Sequence, residues 1–272
     1  MKKAIIIGAT SGIGREVAKL LIQEGWHVGI AGRREDELRK LQASATEYTD
    51  KVSASEYTDK IDASGEDEVH QEQTTASRCI EIQRMDITAE EAPKELMQLI
   101  EKLGGMDLFF LSSGVGSQNC ELKPDIELNT ARTNVEGFIR MVTAAFNYFK
   151  ANGEGHIAVI SSIAGTKGLG VAPAYSATKR FQNTYIDALA QLASMQHQNI
   201  HFTDIRPGFV ATDLLKGDRY PMLMKVEPVA RDIVRALRRK KRVVVINRKY
   251  RILVFFWRLI PRVIWERLPI KN

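Results

Sequence analysis

At 272 residues, with 44% hydrophobic and 26% charged side chains, the chain carries enough apolar material for one full core, and α/β folds of this length are usually single domains. Its two cysteines, Cys79 and Cys120, have no CxxC or metal-ligand spacing, which argues against a disulfide or zinc site; both are expected as buried thiols in a reducing compartment, with no metal. The net charge of +6 is unevenly placed, because residues 231–272 hold 14 Lys/Arg against Asp232 and Glu266, a balance of +12 that leaves −6 for the first 230 residues. Lys3–Gly8 is an apolar run that breaks into glycines too soon for a signal peptide, and it reads as a first strand. Gly12–Glu24 follows with helical spacing through Ile13, Val17, Leu20 and Leu21. His27–Ala31 predicts a second strand and Glu35–Leu41 a polar helix, then strand Cys79–Arg84, helix Ala92–Leu103 and strand Asp107–Leu111. A long helix is expected over Ile126–Lys150, then strand His156–Ser161, helix Ala174–Met195, strand Ile200–Ile205, helix Pro228–Arg238 and strand Arg242–Ile246. This alternation predicts an α/β fold with a doubly wound, Rossmann-like parallel sheet in a single domain over 1–247.

Residues 43–77 interrupt the pattern. They are poor in apolar side chains, hold nine acids against two lysines, and nearly duplicate Glu47–Lys51 as Glu56–Lys60. Such a segment suits a mobile surface insertion or a partner-binding excursion.

Gly8-Ala9-Thr10-Ser11-Gly12-Ile13-Gly14 lies between the first strand and the first helix. Glycines there let backbone approach a pyrophosphate, and the helix N-terminus offers free N–H groups and a positive dipole end. The spacing is G-x3-G-x-G with no GK[ST] after it, which disfavours a nucleotide-hydrolysing P-loop. At the end of the second strand, where an acid would bond the ribose hydroxyls of NAD, stand Arg33 and Arg34. A guanidinium fork suits the 2′-phosphate of NADP, so NADP(H) is the expected cofactor. Tyr175 precedes Lys179 by four residues, which stacks them on one helical face. Alone, that spacing is more often a surface pair than a functional one.

Together these features resemble the short-chain dehydrogenase/reductase family over about residues 1–247. The glycine loop is similar to that family's cofactor turn, with Ile7 where a threonine is usual. Asp86 and Ile87 resemble the adenine-contacting Asp and its apolar neighbour, and Leu111-Ser112-Ser113-Gly114 stands where the family has Asn-Asn-Ala-Gly. Asn134, Ser162 (28 residues on), Tyr175 (13 further) and Lys179 match its catalytic positions, whereas Ser161 is one residue too far from Tyr175. Pro207-Gly208 resembles the turn facing the nicotinamide, with Val210 and Thr212 near its carboxamide. The resemblance implies that Ser113, Gly114, Tyr175 and Lys179 also contact the cofactor, and that Asn134 holds a proton-relaying water. It implies a homodimer or homotetramer through residues 126–150 and 174–195.

The chemistry is hydride transfer between a nicotinamide and a carbonyl or secondary alcohol, which needs a proton moved at the oxygen. A free phenol titrates near 10, and a lysine cation one turn away should favour its ionised form. Ser162 would hold the substrate oxygen. The alternative is a non-catalytic, nucleotide-sensing module that binds partners or a membrane surface; a scaffold has no use for the four matched positions.

The tail, 248–272, is basic and amphipathic: Arg258, Arg262 and Glu266 form a ridge beside Phe255, Phe256, Leu259, Val263 and Trp265, and Pro261 splits it into two short helices. Charges interrupt it too often for a span. Packing over the substrate pocket or at a dimer contact, and contact of 248–268 with an anionic membrane surface, both fit. Membrane contact would make a lipophilic steroid, fatty-acyl or long-chain ketone the natural substrate. Positive residues interleaved with large aliphatics argue against nucleic acid, so the expected setting is cytoplasmic, peripheral to the inner face of a membrane.

Overall fold

The computed structural model describes residues 1–45, 79–215 and 220–270. Seven strands form one parallel sheet in the order β3-β2-β1-β4-β5-β6-β7. They are β1 (Lys3–Ile7), β2 (His27–Gly32), β3 (Ile80–Arg84), β4 (Leu108–Leu111), β5 (Glu154–Ile160), β6 (Asn199–Arg206) and β7 (Val243–Val245). Helices α1 (Gly12–Gln23), α2 (35–45) and α7 (Val226–Arg238) cover one face, and α3 (Ala92–Leu103), α5 (Phe138–Asn152) and α6 (Pro173–Met195) the other. The doubly wound reading is therefore correct. Because both faces are covered, strands must be apolar on both sides. Ala4 and Ile6 of β1 enter the core under α1 and α7, while Ile5 and Ile7 enter the opposite core; Phe110 and Phe109 divide in the same way on β4. The strand order reverses between β1 and β4, which opens a crevice at their carboxyl ends.

Three expectations need adjustment. The polar helix after β2 continues to residue 45, so 43–45 of the acidic insertion complete α2 and 46–77 lie outside the described residues. The long helix Ile126–Lys150 is instead α4 (Pro124–Ala131), a π-helical stretch Arg132–Gly137, and α5. The wider turn lets Asn134 bind the loop after β4 with both side-chain atoms: Oδ1 accepts the Val115 N–H (2.9 Å) and Nδ2 donates to the Val115 carbonyl (2.7 Å). The cysteines are free, but Cys79 is only partly buried and Cys120, in that same loop, is exposed.

The tail folds onto the domain. Asn247 caps α8 (Arg248–Leu259) by accepting the Lys249 N–H at 2.9 Å, and after Pro261 comes the single turn α9 (Arg262–Trp265). Tyr250 of α8 is 1% exposed, and its ring lies 2.2 Å from where a Cβ on Gly208 would stand, so only glycine fits there. The Tyr250 hydroxyl accepts from the Phe209 N–H (3.1 Å) and donates to the Pro221 carbonyl (3.0 Å). Among the described residues no helix is long and apolar enough to cross a membrane.

One buried group makes the fold acid-sensitive. His156 on β5 shares a 2.8 Å hydrogen bond with Thr203 Oγ1 on β6, and burial, with His201 and Lys240 nearby, pushes its imidazole down to about 4. The folded state thus favours the neutral ring. Stability from this site is complete above the unfolded value of 6.5 and is lost as pH falls toward about 4, amounting to about 3 kcal/mol. Urea denaturation at pH 7 and pH 5 should show a falling midpoint, and His156→Leu should flatten that dependence even though it costs stability at pH 7.

Candidate active site

The crevice is built where the backbone must come close. Gly8 has φ +90° and a Cβ there would stand 2.7 Å from the Ser113 nitrogen; a Cβ on Gly14 would meet the Gly8 carbonyl at 2.2 Å. Gly12 has φ +56°, and a Cβ on it would lie 3.0 Å from Thr212 Cγ2, so Thr212 closes over the loop. The N-terminus of α1, starting at Gly12, opens onto this bare turn. Such a cradle, which any side chain would fill, fits a dinucleotide pyrophosphate.

The two arginines separate. Arg34 lies across the loop, its Nη2 donating to Thr10 Oγ1 (3.0 Å) and Ser11 Oγ (2.7 Å) while Nη1 stands 3.6 Å from Asp213. It shares a shallow polar hollow with Arg15, Lys19, Glu37 and Asp213. Arg33 is exposed and acts on Asp86. Burial opposes the Asp86 charge, but hydrogen bonds from the Thr88 N–H and hydroxyl, with Arg33 and Arg84, hold its carboxyl below the usual value. Ile87 is buried against the π-helical stretch, where a Cβ on Gly137 would meet its Cγ1 at 2.9 Å. Asp86, Ile87 and Arg33 stand outside this hollow, while Ser113 lies against Gly8.

Of the remaining predicted residues, all but the fully buried Asn134 converge on one cavity of about 490 Å³. Ile13, Gly114, Pro207, Gly208, Val210 and Thr212 line its cofactor side, and Ser162, Tyr175 and Lys179 its centre. Beyond them the wall is apolar, with Leu169, Val171, Leu215, Met222, Leu253 and Trp257. Ser162 ends β5 and caps a 3₁₀ turn, Ile163–Thr166, through the Ala164 N–H at 3.1 Å. The Pro207 carbonyl accepts from the Ile163 N–H at 3.1 Å, which ties Ser162's turn to the Pro-Gly turn. Val210 and Met224 form a bridge behind it. Gly116 lies on Tyr175, since a Cβ would stand 2.6 Å from the ring; that close approach is not signalled by any motif.

Lys179 is buried at 4% exposure. Its Nζ donates to the Ile160 carbonyl and to Gln182 Oε1, both at 3.0 Å, and lies 5.8 Å from the Tyr175 ring centre. Burial lowers this lysine to about 8 against the opposing pull of Asp204. Tyr175 keeps some exposure as a residue, but its hydroxyl end is enclosed. Burial raises the phenol above its ordinary value, and a hydrogen bond with Ser162 pulls the other way. The direction is opposite to the one that the Tyr-x3-Lys spacing implies, because desolvation is the dominant influence on the phenol, with the Lys179 Nζ lying over its ring.

Gln182 is the side chain that sequence reasoning missed. It is 1% exposed, accepts from Lys179 and donates through Nε2 to the Asn134 carbonyl at 2.9 Å. The resemblance implies a water on Asn134; here an amide bridges Asn134 and Lys179, and the Asn134 side chain is spent on Val115 and on Thr178 Oγ1 (3.1 Å). A polar residue three positions after Lys179 on the buried face of α6 was its only sequence signal. Ser161 points away, into a buried cluster with Asp204, Arg206 and Asn183. Among the described residues no cluster of His, Cys, Asp or Glu could hold a metal.

Sheet order, bare glycine turn and crevice define a Rossmann-like α/β protein. The family model described as short chain dehydrogenase matches residues 2–64 and 59–221, and the chain belongs to that family: it is an oxidoreductase of the short-chain dehydrogenase type. An uncharacterised oxidoreductase of Listeria monocytogenes is 30% identical over 218 residues, covering 79% of this chain and 77% of the relative. One from Myxococcus xanthus is 29% identical over 229 residues, 83% of this chain and 79% of the relative. Among solved structures, an alcohol dehydrogenase from Thermococcus sibiricus complexed with 5-hydroxy-NADP superposes with a TM-score of 0.71 at 20% identity, covering 90% of this chain and 96% of its own. A 3-ketoacyl-(acyl-carrier-protein) reductase from Brucella melitensis complexed with NADH gives 0.71 at 21% identity over the same shares. At those identities the structures speak for the fold alone.

Proposed function

We propose that the chain reduces a lipophilic ketone, of the steroid, fatty-acyl or long-chain class, to a secondary alcohol at the expense of NADPH. The observation that carries this reading is the cavity in which Ser162, Tyr175 and Lys179 stand between a glycine-lined cofactor side and an apolar far wall. Bound in the cradle, the nicotinamide would supply the hydride. Gly8, Gly12 and Gly14 would admit the pyrophosphate, and Arg34, with Thr10 and Ser11 beneath it, would take a 2′-phosphate. Asp86 and Ile87 would bound the adenine, and Pro207, Gly208, Val210 and Thr212 the carboxamide end. Solved proteins of this fold bound to 5-hydroxy-NADP and NADH support a nicotinamide cofactor.

Burial makes the Tyr175 phenol a weaker acid and the hydrogen bond with Ser162 works against that, so Ser162 is what prepares it to donate. Held neutral at pH 7, the phenol can give its proton to the carbonyl oxygen as that oxygen gains charge. Ser162 would donate the second hydrogen bond to the same oxygen. Burial lowers Lys179 to about 8 and Asp204 opposes the shift, while the Gln182 amide oxygen and the Ile160 carbonyl accept from its Nζ and fix where the ammonium stands. Gln182 is thus a positioning residue acting through Lys179.

Tyr175→Phe should lower turnover by at least about 10³-fold in a ketone-dependent NADPH-oxidation assay, with NADPH affinity by fluorescence titration nearly unchanged. Near-normal turnover would remove Tyr175 from the chemistry. Arg34→Ala should weaken NADPH binding by about 10- to 100-fold and leave NADH almost unaffected; equal losses for both would mean that Arg34 reads no 2′-phosphate. For Gln182, the alkaline limb of the kcat–pH profile is the diagnostic. Removing an acceptor from an ammonium lowers its pKa, so Gln182→Leu should move the limb to lower pH, and Gln182→Glu should move it higher. A merely structural role would shift both variants alike.

A further inference from the structure

Helix α8 is apolar on two opposite sides. Tyr250, Leu253, Val254 and Trp257, at i, i+3, i+4 and i+7, face the domain, and Leu253 and Trp257 reach the cavity. Ile252, Phe255, Phe256 and Leu259 repeat the same spacing half a turn away, and they are 60%, 60%, 58% and 63% exposed. Val263 and Ile264 of α9 and Leu268 beyond it extend that outward surface. Seven large apolar side chains on one continuous stretch exceed the scattered apolar exposure of an ordinary surface.

Cations frame this surface. Arg251 and Arg258 run along one flank of α8, with Lys249 on the other and Arg267 beyond α9. Among the described residues none of Arg248, Lys249, Arg251, Arg258 and Arg267 has a carboxylate partner; only Arg262 does, through Glu266 at 2.7 Å. The platform is held in place: Lys167 Nζ donates to the Ile260 carbonyl at 2.8 Å, and the Trp265 indole to the Gly168 carbonyl at 2.7 Å. Phe255 and Phe256 meet edge to face with ring centres 5.5 Å apart, outside the domain's own packing.

An apolar strip flanked by unpaired cations is complementary to a surface that is apolar within and anionic at its rim. We propose that the outer faces of α8 and α9 dock on an anionic lipid surface, with Phe255, Phe256 and Leu259 at the acyl boundary and Arg251 and Arg258 at the phosphates. A second copy fits less well, because a two-fold contact through this patch would bring its unpaired cations against their own equivalents. Docking would place lipid on one side of α8 and the apolar cavity on the other, about one helix diameter (~10 Å) apart. Only that last step rests on the lipophilic-ketone reading; the surface stands without it.

The test is co-sedimentation of the full chain with vesicles of phosphatidylcholine alone and of phosphatidylcholine with phosphatidylglycerol. Wild type should bind the mixed vesicles preferentially, and high salt should weaken the binding. Phe255→Ser/Phe256→Ser and Arg251→Glu/Arg258→Glu should each reduce it by about tenfold or more, while both variants keep the wild-type thermal midpoint to within a few degrees. Equal binding by wild type and both variants, or no preference for phosphatidylglycerol, overturns the proposal. So does a dimer in sedimentation velocity that Phe255→Ser/Phe256→Ser converts to monomer. Binding is read without turnover, so a failure of the reductase reading would leave this result untouched.

Discussion

A lysine ammonium removed from water must be satisfied by the protein or give up its proton. Lys179 has been moved some way toward the second outcome, and the surrounding fold limits the move. Ile160 supplies a carbonyl that β5 leaves free at its carboxyl end, and Gln182 supplies an amide oxygen one turn along α6. Gln182 must then place its own N–H₂, and it does so on the Asn134 carbonyl. That carbonyl lies within the π-helical stretch between α4 and α5, where the ordinary i to i−4 ladder is broken. The Asn134 side chain in turn fixes Val115, in the loop that carries Gly114 and Gly116 to Lys179 and Tyr175. One desolvated charge is thus connected through hydrogen bonds to the π-helical stretch, the buried Gln182 of α6 and the loop after β4.

The crevice that holds these groups follows from topology. β1 and β4 are neighbours whose following segments leave in opposite directions, so the glycine turn after β1 and the loop after β4 face each other across a gap. Gly8 and Ser113 make that contact so closely that no Cβ fits between them. On the far side, β5 and β6 end in Ser162 and the Pro-Gly turn, and Tyr250 of α8 clamps the latter. The C-terminal segment is therefore part of the cavity wall, which agrees with one of the two roles that its composition allows.

Much of this was legible in residue order. Strands with apolar runs on both faces, glycines after β1 and the spacing of Ser162, Tyr175 and Lys179 are local patterns, and local patterns survive into the fold. Pro261 divides the tail where its missing N–H and fixed φ require. What stayed hidden depends on contacts far apart in sequence. A four-residue spacing cannot reveal that Lys179 faces the Tyr175 ring while its charge is spent on Ile160 and Gln182. Nor can it reveal that burial raises the phenol. The break at Arg132–Gly137 was equally hard to read: Gly137 is a weak signal in itself, and the stretch is tied to Val115 and Gln182, both far away in sequence. Arg33 and Arg34 look equivalent as neighbours, yet only Arg34 reaches the glycine loop.

The pKa directions at the centre of the site bear on which form of Tyr175 is available. A neutral phenol can donate to a carbonyl oxygen and its phenolate can accept from an alcohol, and burial of Tyr175 favours the neutral form in the free protein. Oxidation would need the phenolate first, and the burial that disfavours it opposes that start. A positive charge arriving at the cofactor side would act against that burial, since Tyr175 lines the same cavity as Gly114 and Pro207. The same enclosure that slows ionisation of the free protein makes the phenol responsive to a single neighbouring charge, because a Coulombic interaction gains strength as water is excluded. The protonation of Tyr175 then follows the charge brought to the cofactor side, against the same burial that lowers Lys179.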